Sequence, residues 1–240
     1  MPQNHAPTNP IPLHSSWPPS APIGPIAVLV SGGADSAILL AEAARTYPAV
    51  YPLYVRVGSV WETVEYEFLL EFLAAIACPA LKALTVLSQP VGDLYGPHWS
   101  LTGRDVPAAD TPDEAVFLPG RNVLLLAKPL LWCHLNGIAE VATAPLASNP
   151  FPDATPEFYH GFAAEVGRAV GGNVRVLTPY ADMGLHKDEV LRRGVGLPLQ
   201  FTFSCLRPTG GRHCGRCNKC AERRAGFSAA GMADPTRYAV

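Results

Sequence analysis

Apolar runs and amphipathic segments alternate along the chain from residue 26 onwards. Five short apolar runs predict β-strands, at residues 26–30, 50–56, 81–87, 138–143 and 174–177. Longer segments between them predict helices, at residues 37–46, 61–77, 121–135 and 156–170. Pro129 predicts a kink or break in the third helix. The alternation predicts an α/β fold, a Rossmann-like doubly wound five-stranded sheet that is mainly parallel, with ligands beyond the carboxyl ends of its strands.

Shifts in composition divide the chain into four parts. Residues 1–22 are rich in proline and polar residues, and we expect a disordered tail there because so little apolar surface is available for burial. Residues 23–203 form the predicted α/β domain, in which residues 88–119 are an ordered loop region with functional potential. A glycine- and cysteine-rich segment follows at residues 204–228, and residues 229–240 form a C-terminal tail.

A candidate phosphate-binding loop directly follows the first predicted strand, and it reads Ser31, Gly32, Gly33, Ala34, Asp35 and Ser36. Its glycines let backbone N–H groups converge on an anion, and the N-terminus of the next helix adds partial positive charge. Asp35 is a natural ligand for phosphate-bound Mg²⁺. The lysine of the Gly-x-x-x-x-Gly-Lys-Ser/Thr motif is missing, which favours cleavage at the α-phosphate. A Gly-Gly turn with an ordinary helix cap is the alternative interpretation.

Four of the six cysteines lie within 16 positions, at Cys205, Cys214, Cys217 and Cys220. Four closely spaced thiolates predict a tetrahedral Zn²⁺ site, and a complete set of protein ligands indicates a structural role. An iron–sulfur cluster and a set of reduced thiols are the alternatives. Cys78 and Cys133 lie in apolar segments and are interpreted as small core residues.

Charge and composition narrow the classes of partner. With 18 Lys and Arg against 20 Asp and Glu, the formal net charge is −2, which argues against direct binding of nucleic acid and favours a small substrate. No apolar run is long enough to span a membrane, and the N-terminus does not resemble a secretory signal, so we expect a cytoplasmic protein. Charged residues make up only 16% of the chain, which is compatible with a buried homodimer interface.

The motifs together resemble a known family. Residues 31–36 match the Ser-Gly-Gly-x-Asp-Ser signature of the PP-loop ATP pyrophosphatases. The segment from His213 to Phe227, which contains three of the clustered cysteines, resembles that of the 7-cyano-7-deazaguanine synthases of queuosine biosynthesis. Residues 118–122, the Pro152-Asp153 pair and residues 186–190 support the same resemblance, which covers about residues 25–228.

This resemblance implies a PP-loop (HUP-type) fold with a C-terminal zinc-binding segment and the activity of an ATP-dependent carbon–nitrogen ligase. The family converts 7-carboxy-7-deazaguanine and ammonia, with ATP and Mg²⁺, into 7-cyano-7-deazaguanine through an adenylated carboxylate and an amide. The implied catalytic residues are Asp35, Arg121 and Lys187, of which Lys187 also contacts ATP beside the phosphate-binding loop. The implied acceptor-binding residues are Arg121, Asn149 and Asp153. Alternatively, Arg121 is a surface residue and Asp153 belongs to an ordinary turn.

Two segments depart from the family pattern. Residues 57–62 read Val-Gly-Ser-Val-Trp-Glu where the family carries an Asp-Tyr-Gly-Gln-Arg/Lys-His type sequence. Residues 144–151 replace a loop that begins Gly-Val-Asn and contains Ser-Gly-Tyr. These departures keep three alternatives open: a PP-loop enzyme that adenylates another carboxylate or deazapurine, a tRNA-modifying PP-loop enzyme, and a non-catalytic nucleotide-binding module.

Overall fold

The computed structural model describes residues 17–19 and 24–240, and a five-stranded parallel sheet organises them. The strand order is β3-β2-β1-β4-β5, and every neighbouring pair is parallel. This arrangement confirms the α/β prediction, and it places β1 at the centre, where the strand order reverses. The strands are β1 (Ile26–Leu29), β2 (Val50–Arg56), β3 (Thr85–Ser88), β4 (Glu140–Ala142) and β5 (Arg175–Leu177).

Nine helices connect or flank these strands in the described part of the chain. They are α1 (Ala34–Thr46), α2 (Glu62–Ala75), α3 (Gly92–Tyr95), α4 (Trp99–Thr102), α5 (Arg121–Leu135), α6 (Pro156–Val170), α7 (Pro179–Asp182), α8 (Lys187–Arg193) and α9 (Asn218–Ala229). Short 3₁₀ turns lie at Asp113–Val116, Pro152–Ala154 and Leu199–Phe201. The predicted break at Pro129 does not occur, since α5 continues through this buried proline.

Successive side chains along each strand point to opposite faces of the sheet, and both faces are buried. Val28 and Tyr54 pack on one face together with side chains of α1, α8 and α9. Ala27 and Leu53, one position away, pack on the other face against α5 and α6. Because both faces are covered, the strands read as continuous apolar runs rather than as alternating ones.

The third strand and the loop after it differ in detail from the sequence prediction. The strand begins at Thr85 rather than at residue 81, because Leu81 makes only an isolated bridge with Val50 before the chain leaves the sheet. The predicted loop at residues 88–119 contains α3, α4 and one 3₁₀ turn, so it is a structured connection. Among the described residues, no helix has the length and apolar character that a membrane crossing requires.

Both ends of the chain contribute to packing where the structure describes them. Trp17 lies inside the predicted disordered tail but is only 6% exposed, and it packs on Tyr47 while its carbonyl oxygen accepts a hydrogen bond from Arg193 Nη2 at 2.8 Å. Its large apolar surface explains this departure. Residues 1–16 and 20–22 of that predicted tail lie outside the described residues. At the other end, the Ala239 N–H donates to the His213 carbonyl at 2.8 Å, so the C-terminal tail packs on the cysteine-rich segment.

Candidate active site and metal centre

The phosphate-binding loop lies at the carboxyl end of the central strand β1. Gly32 has a φ of +75°, and a Cβ there would lie 3.0 Å from Glu65 Cγ, so both conformation and space require glycine. Ser36 Oγ accepts a hydrogen bond from the Ser31 N–H at 3.2 Å and closes the loop. The first hydrogen bond within α1 runs from Ala37 N to Gly33 O at 3.0 Å. The three preceding N–H groups therefore have no partner within the helix and suit an anion.

Asp35 has two differently placed carboxylate oxygens. Its Oδ2 accepts a hydrogen bond from Lys187 Nζ at 2.7 Å, although the two residues are 152 positions apart. Its Oδ1 is buried and has no hydrogen-bond partner. An unpaired buried carboxylate oxygen is costly, and a divalent cation held between it and nucleotide phosphates would satisfy it. The residues of this site therefore fit Mg²⁺ with a nucleotide.

Lys187 connects the phosphate-binding loop to α9 through a chain of charges. Its Nζ lies 3.6 Å from Glu222 Oε1, and Glu222 also pairs with Lys219, whose Nζ is 3.7 Å from Asp113 Oδ1. Burial lowers the pKa of Lys187, but the carboxylates of Asp35 and Glu222 outweigh it and raise this pKa above its ordinary value. Likewise, burial raises the pKa of Glu222 and the two lysines bring it below its ordinary value. Lys187 therefore stays charged beside the phosphate-binding loop.

Two adjoining cavities of about 230 and 300 Å³ open at this end of the sheet, and we call them the first and second cavities. Asp153 lines the first, and Lys187 and Lys219 line the second. Apart from Gly32, every residue predicted to bind ATP or the acceptor lines at least one of these cavities. Both cavities are lined by Ser31, Gly33, Asp35, Glu65, Arg121 and Asn149.

Arg121 begins α5 at the wall of both cavities and is exposed. A cation at a helix N-terminus is electrostatically unfavourable within the protein alone, and an anion in the cavities would offset that cost. Asn149 is oriented by its Oδ1, which accepts a hydrogen bond from the Phe151 N–H at 3.0 Å. Both residues therefore present polar groups to the same space.

Asp153 also stabilises the start of α5. Its Oδ2 accepts a hydrogen bond from the Asn122 N–H at 2.9 Å, and its carbonyl oxygen accepts one from Asn122 Nδ2 at 2.8 Å. The Pro152–Ala154 turn therefore fixes the helix that carries Arg121. The sequence predicted Asp153 as an acceptor-binding residue, and this capping role was not visible from it because the two partners are 31 positions apart.

Glu65 and Glu222 are site residues that the sequence analysis did not identify. Glu65 Oε1 accepts a hydrogen bond from the Tyr54 hydroxyl at 2.9 Å, and its side chain lines both cavities. Burial raises the pKa of Glu65 to about 8, against the opposing effects of the Tyr54 hydrogen bond and the Arg121 charge. Each glutamate lies within a helix where charged residues are common, so no local pattern distinguishes it from a solvated one.

The cysteine cluster, defined as Cys205, Cys214, Cys217 and Cys220, forms a compact and buried set. Its four sulfur atoms lie within 4.8 Å of one another, and two pairs are 3.9 Å apart. A tetrahedral Zn²⁺ with bonds of about 2.3 Å separates its thiolates by about 3.8 Å, so the geometry fits a single ion. Cys205 Sγ accepts hydrogen bonds from the Cys214 and Arg207 N–H groups at 3.2 and 3.3 Å, which stabilises a thiolate.

The other sulfur and imidazole groups nearby have different surroundings. His213 Nε2 accepts a hydrogen bond from the Ser204 N–H at 3.2 Å, so this nitrogen is occupied. Burial lowers the pKa of His213 to about 3, and the ring packs as a neutral group against Phe203. Cys133 lies in the core as predicted, whereas Cys78 is only partly buried. In the described part of the chain, the cysteine cluster is the group in which three or more protein side chains lie close enough together to hold a metal ion by themselves.

Comparison of the sequence with known protein families identifies a family that has the same motifs. The model of a family described as queuosine biosynthesis protein QueC matches residues 26–231. The chain belongs to the QueC family. The match covers both the phosphate-binding loop and the cysteine cluster, and it confirms the resemblance that these motifs indicated.

Individual relatives extend along nearly the whole chain. A protein of Xanthomonas oryzae pv. oryzae (strain PXO99A), named 7-cyano-7-deazaguanine synthase, is 33% identical over 226 residues, covering 89% of this chain and 97% of the relative. A protein of the same name from Thiobacillus denitrificans (strain ATCC 25259 / T1) is 32% identical, covering 88% and 97%. A solved 4-thiouridine synthetase–RNA complex with bound ATP has a TM-score of 0.47 and 14% identity, covering 87% of this chain and 50% of that one.

In this QueC-family chain, the cysteine cluster is physically continuous with the candidate active site. Helix α9 starts directly after Cys217 and carries Lys219 and Glu222 to the second cavity. Arg223 is buried on the same helix and donates to Leu199 O at 3.1 Å, which ties α9 to the α/β domain. Glu222, which lies beside Lys187, is therefore on a helix that the cysteine cluster begins and that Arg223 also holds.

We expect Asp153→Ala to destabilise the fold by about 1 kcal/mol, because it removes a helix-capping acceptor and leaves the Asn122 N–H unpaired. Chemical denaturation would measure this as a lower midpoint at an unchanged slope. Asp110→Ala is the matched control, since Asp110 is exposed. Equal stability of the two variants would contradict the capping role.

Proposed function

We propose that this QueC-family protein is an ATP-dependent ligase that converts 7-carboxy-7-deazaguanine and ammonia into 7-cyano-7-deazaguanine. The observation that carries the proposal is the phosphate-binding loop, with its unpaired Asp35 oxygen, at a cavity that also contains the exposed cation Arg121. Membership of the QueC family and the names of its relatives support the same activity. The substrates are small molecules, and the proposed reaction needs neither nucleic acid nor a membrane.

The chemistry explains why ATP is needed. A carboxylate is a poor electrophile, because its oxygen is a bad leaving group. Attack of the acceptor carboxylate on the α-phosphorus of ATP releases pyrophosphate and converts that oxygen into part of a good leaving group, AMP. Ammonia then attacks the carbonyl carbon, AMP departs and the amide forms after loss of a proton. The amide oxygen reacts with a second ATP in the same way, and loss of AMP and protons leaves the nitrile.

In this proposal, the phosphate-binding loop holds the ATP phosphates. Ser31 and the residues at the start of α1 line the cavities, and the N–H groups of that first turn have no partner within the helix, so they would hold the phosphates. Asp35 would hold Mg²⁺, which neutralises phosphate charge when it is bound. Lys187 orients Asp35 and provides a second positive charge at the same point.

The acceptor occupies the space on the Arg121 side. The Arg121 guanidinium pairs with the acceptor carboxylate, which a planar bidentate donor suits. Asn149 and Asp153 line the first cavity and supply polar groups for the edge of a guanine-like ring. Holding acid and amide at one site lets both activations use the same residues.

We further propose that the metal of the cysteine cluster is a structural Zn²⁺. The pair distances of 3.9 Å support a single ion, because a four-iron cluster holds its thiolates farther apart on separate irons. Four protein ligands leave no open position for a reacting water. Elemental analysis of the freshly purified protein tests this assignment, and iron in place of zinc would overturn it.

Product analysis is the direct test of the proposed function. Purified protein would be incubated with ATP, Mg²⁺, ammonium chloride and 7-carboxy-7-deazaguanine. The products would be separated and identified by mass spectrometry. We expect the nitrile and the intermediate amide, with AMP and pyrophosphate as co-products. Omission of ammonium should stop the reaction before the amide. Absence of both products, under conditions where a relative of the same family forms them, would refute the proposal.

A further inference from the structure

The proposed reaction consumes ammonia, but at neutral pH the dissolved species is mainly ammonium. Ammonium has no lone pair and cannot attack the adenylated carboxylate. The site must therefore bind this cation and remove one proton close to the reacting carbon. The residues assigned above to ATP, the acceptor carboxylate and the metal do not perform this step.

Glu65 has the position that this step requires. It lies on α2 against the phosphate-binding loop, where its Cγ is 3.0 Å from the place a Cβ would occupy on Gly32. Its side chain lines both cavities, and so does Arg121, which we assign to the acceptor carboxylate. Glu65 therefore lies between the nucleotide side and the acceptor side of one site.

The surroundings orient the Glu65 carboxyl group without neutralising it in a direct ion pair. Its Oε1 accepts the hydrogen bond from the Tyr54 hydroxyl of β2 at 2.9 Å. The Glu65 side chain passes Gly32 at its Cγ, 3.0 Å from the place a Cβ would occupy, where glycine has no side chain to block it. One carboxylate oxygen is thus fixed by Tyr54, and the group remains available to a small cation in the cavity.

We propose that Glu65 binds ammonium in the active site and accepts a proton from it, producing the ammonia that attacks the adenylated carboxylate. This inference rests on the proposed function. One N–H bond of ammonium breaks and one O–H bond forms on Glu65. The nitrogen lone pair then forms the C–N bond, the C–O bond to AMP breaks with its electron pair leaving on AMP, and the nitrogen loses a second proton to solvent to give the neutral amide. The carboxylic acid returns its proton to solvent before the next turnover.

The acidity of Glu65 suits this role. Burial raises its pKa to about 8, and the charged or titratable groups that act on it are Tyr54 from β2, Arg121 from α5 and Glu62 on its own helix. A base is most effective when its pKa lies near the working pH, because it then combines a substantial ionised fraction with a strong affinity for the proton. An ordinary carboxylate would be a much weaker proton acceptor.

Glu65→Gln tests the inference, because it keeps the size of the side chain and removes its basicity. ATP–pyrophosphate exchange with 7-carboxy-7-deazaguanine measures adenylation, which needs no ammonia. We expect the variant to retain this exchange while amide formation at neutral pH falls by about 10²-fold or more. Raising the pH should reduce the difference from the wild type, since free ammonia is then supplied by the solution.

Two further variants serve as controls. Glu67→Gln, an exposed position on the same helix, should behave as the wild type. Glu65→Asp keeps a carboxylate and should form more amide than Glu65→Gln at the same exchange rate. Equal loss of exchange and amide formation, or a defect that alkaline pH does not reduce, would overturn the inference. Failure of the wild type itself in both assays would instead refute the proposed function.

Discussion

Asp35→Ala is expected to lower ATP turnover by about 10²–10³-fold while the metal content of the cysteine cluster stays unchanged. Asp35 is the carboxylate of the phosphate-binding loop, and its Oδ1 is buried without a partner at the position where Mg²⁺ and phosphates would meet. Removing it deletes the cation ligand and leaves phosphate charge without that compensation. The loop itself should persist, because its closing hydrogen bonds involve Ser31, Gly33 and Ser36.

Release of pyrophosphate in the presence of acceptor measures this effect, and elemental analysis measures the bound metal. Lys187 Nζ also lies 3.6 Å from Glu222 Oε1, so its charge should keep a partner in the variant and the fold should survive. Asp93→Ala, which replaces an exposed aspartate, serves as the control for turnover. Unchanged turnover in Asp35→Ala would remove Asp35 from the proposed site. Loss of metal in the same variant would indicate a general failure of folding.

Local patterns predicted most of the fold and two parts of the site. Strands β1 and β2 are apolar runs, and α1 has a helical repeat of apolar residues. Such patterns involve only residues close together in the sequence, so the sequence alone locates these elements. The phosphate-binding loop and the cysteine cluster are likewise defined by short spacings. Prediction was poorer where tertiary packing overrides a local preference. Proline usually interrupts a helix, but Pro129 lies buried inside a helix that continues through it.

The contacts between distant parts of the site could not be predicted in this way. Lys187 was placed beside the nucleotide, but its pairing with Asp35 and Glu222 joins three separate helices. Nothing in the segment around Glu65 indicates that its side chain packs against the first glycine of the phosphate-binding loop. Such pairs depend on how α2, α8 and α9 pack around the sheet, which a single sequence does not specify residue by residue.

Cys217→Ala is expected to remove the metal and with it most of the ATP turnover. Cys217 is buried within the cysteine cluster and immediately precedes α9. Structural zinc sites contribute apparent binding free energies of about 10 kcal/mol or more, which is comparable to the whole stability of a domain. Without that contribution, the segment that begins at Cys205 should lose its fixed position. Glu222 would then leave Lys187, and the second cavity would lose one wall.

In Cys217→Ala, we expect three measurements to fall together: the amount of metal bound per chain, the midpoint temperature of thermal unfolding and the rate of pyrophosphate release. Cys78→Ala is the matched control, since Cys78 is a partly buried cysteine outside the cluster and should keep its metal and turnover. Removal of the metal from the wild type with a chelator should reproduce the defect. A Cys217→Ala protein that lacks metal yet turns over ATP normally would show that α9 holds Glu222 in place by packing alone, through contacts such as those of Arg223. The metal would then have no part in positioning Lys187.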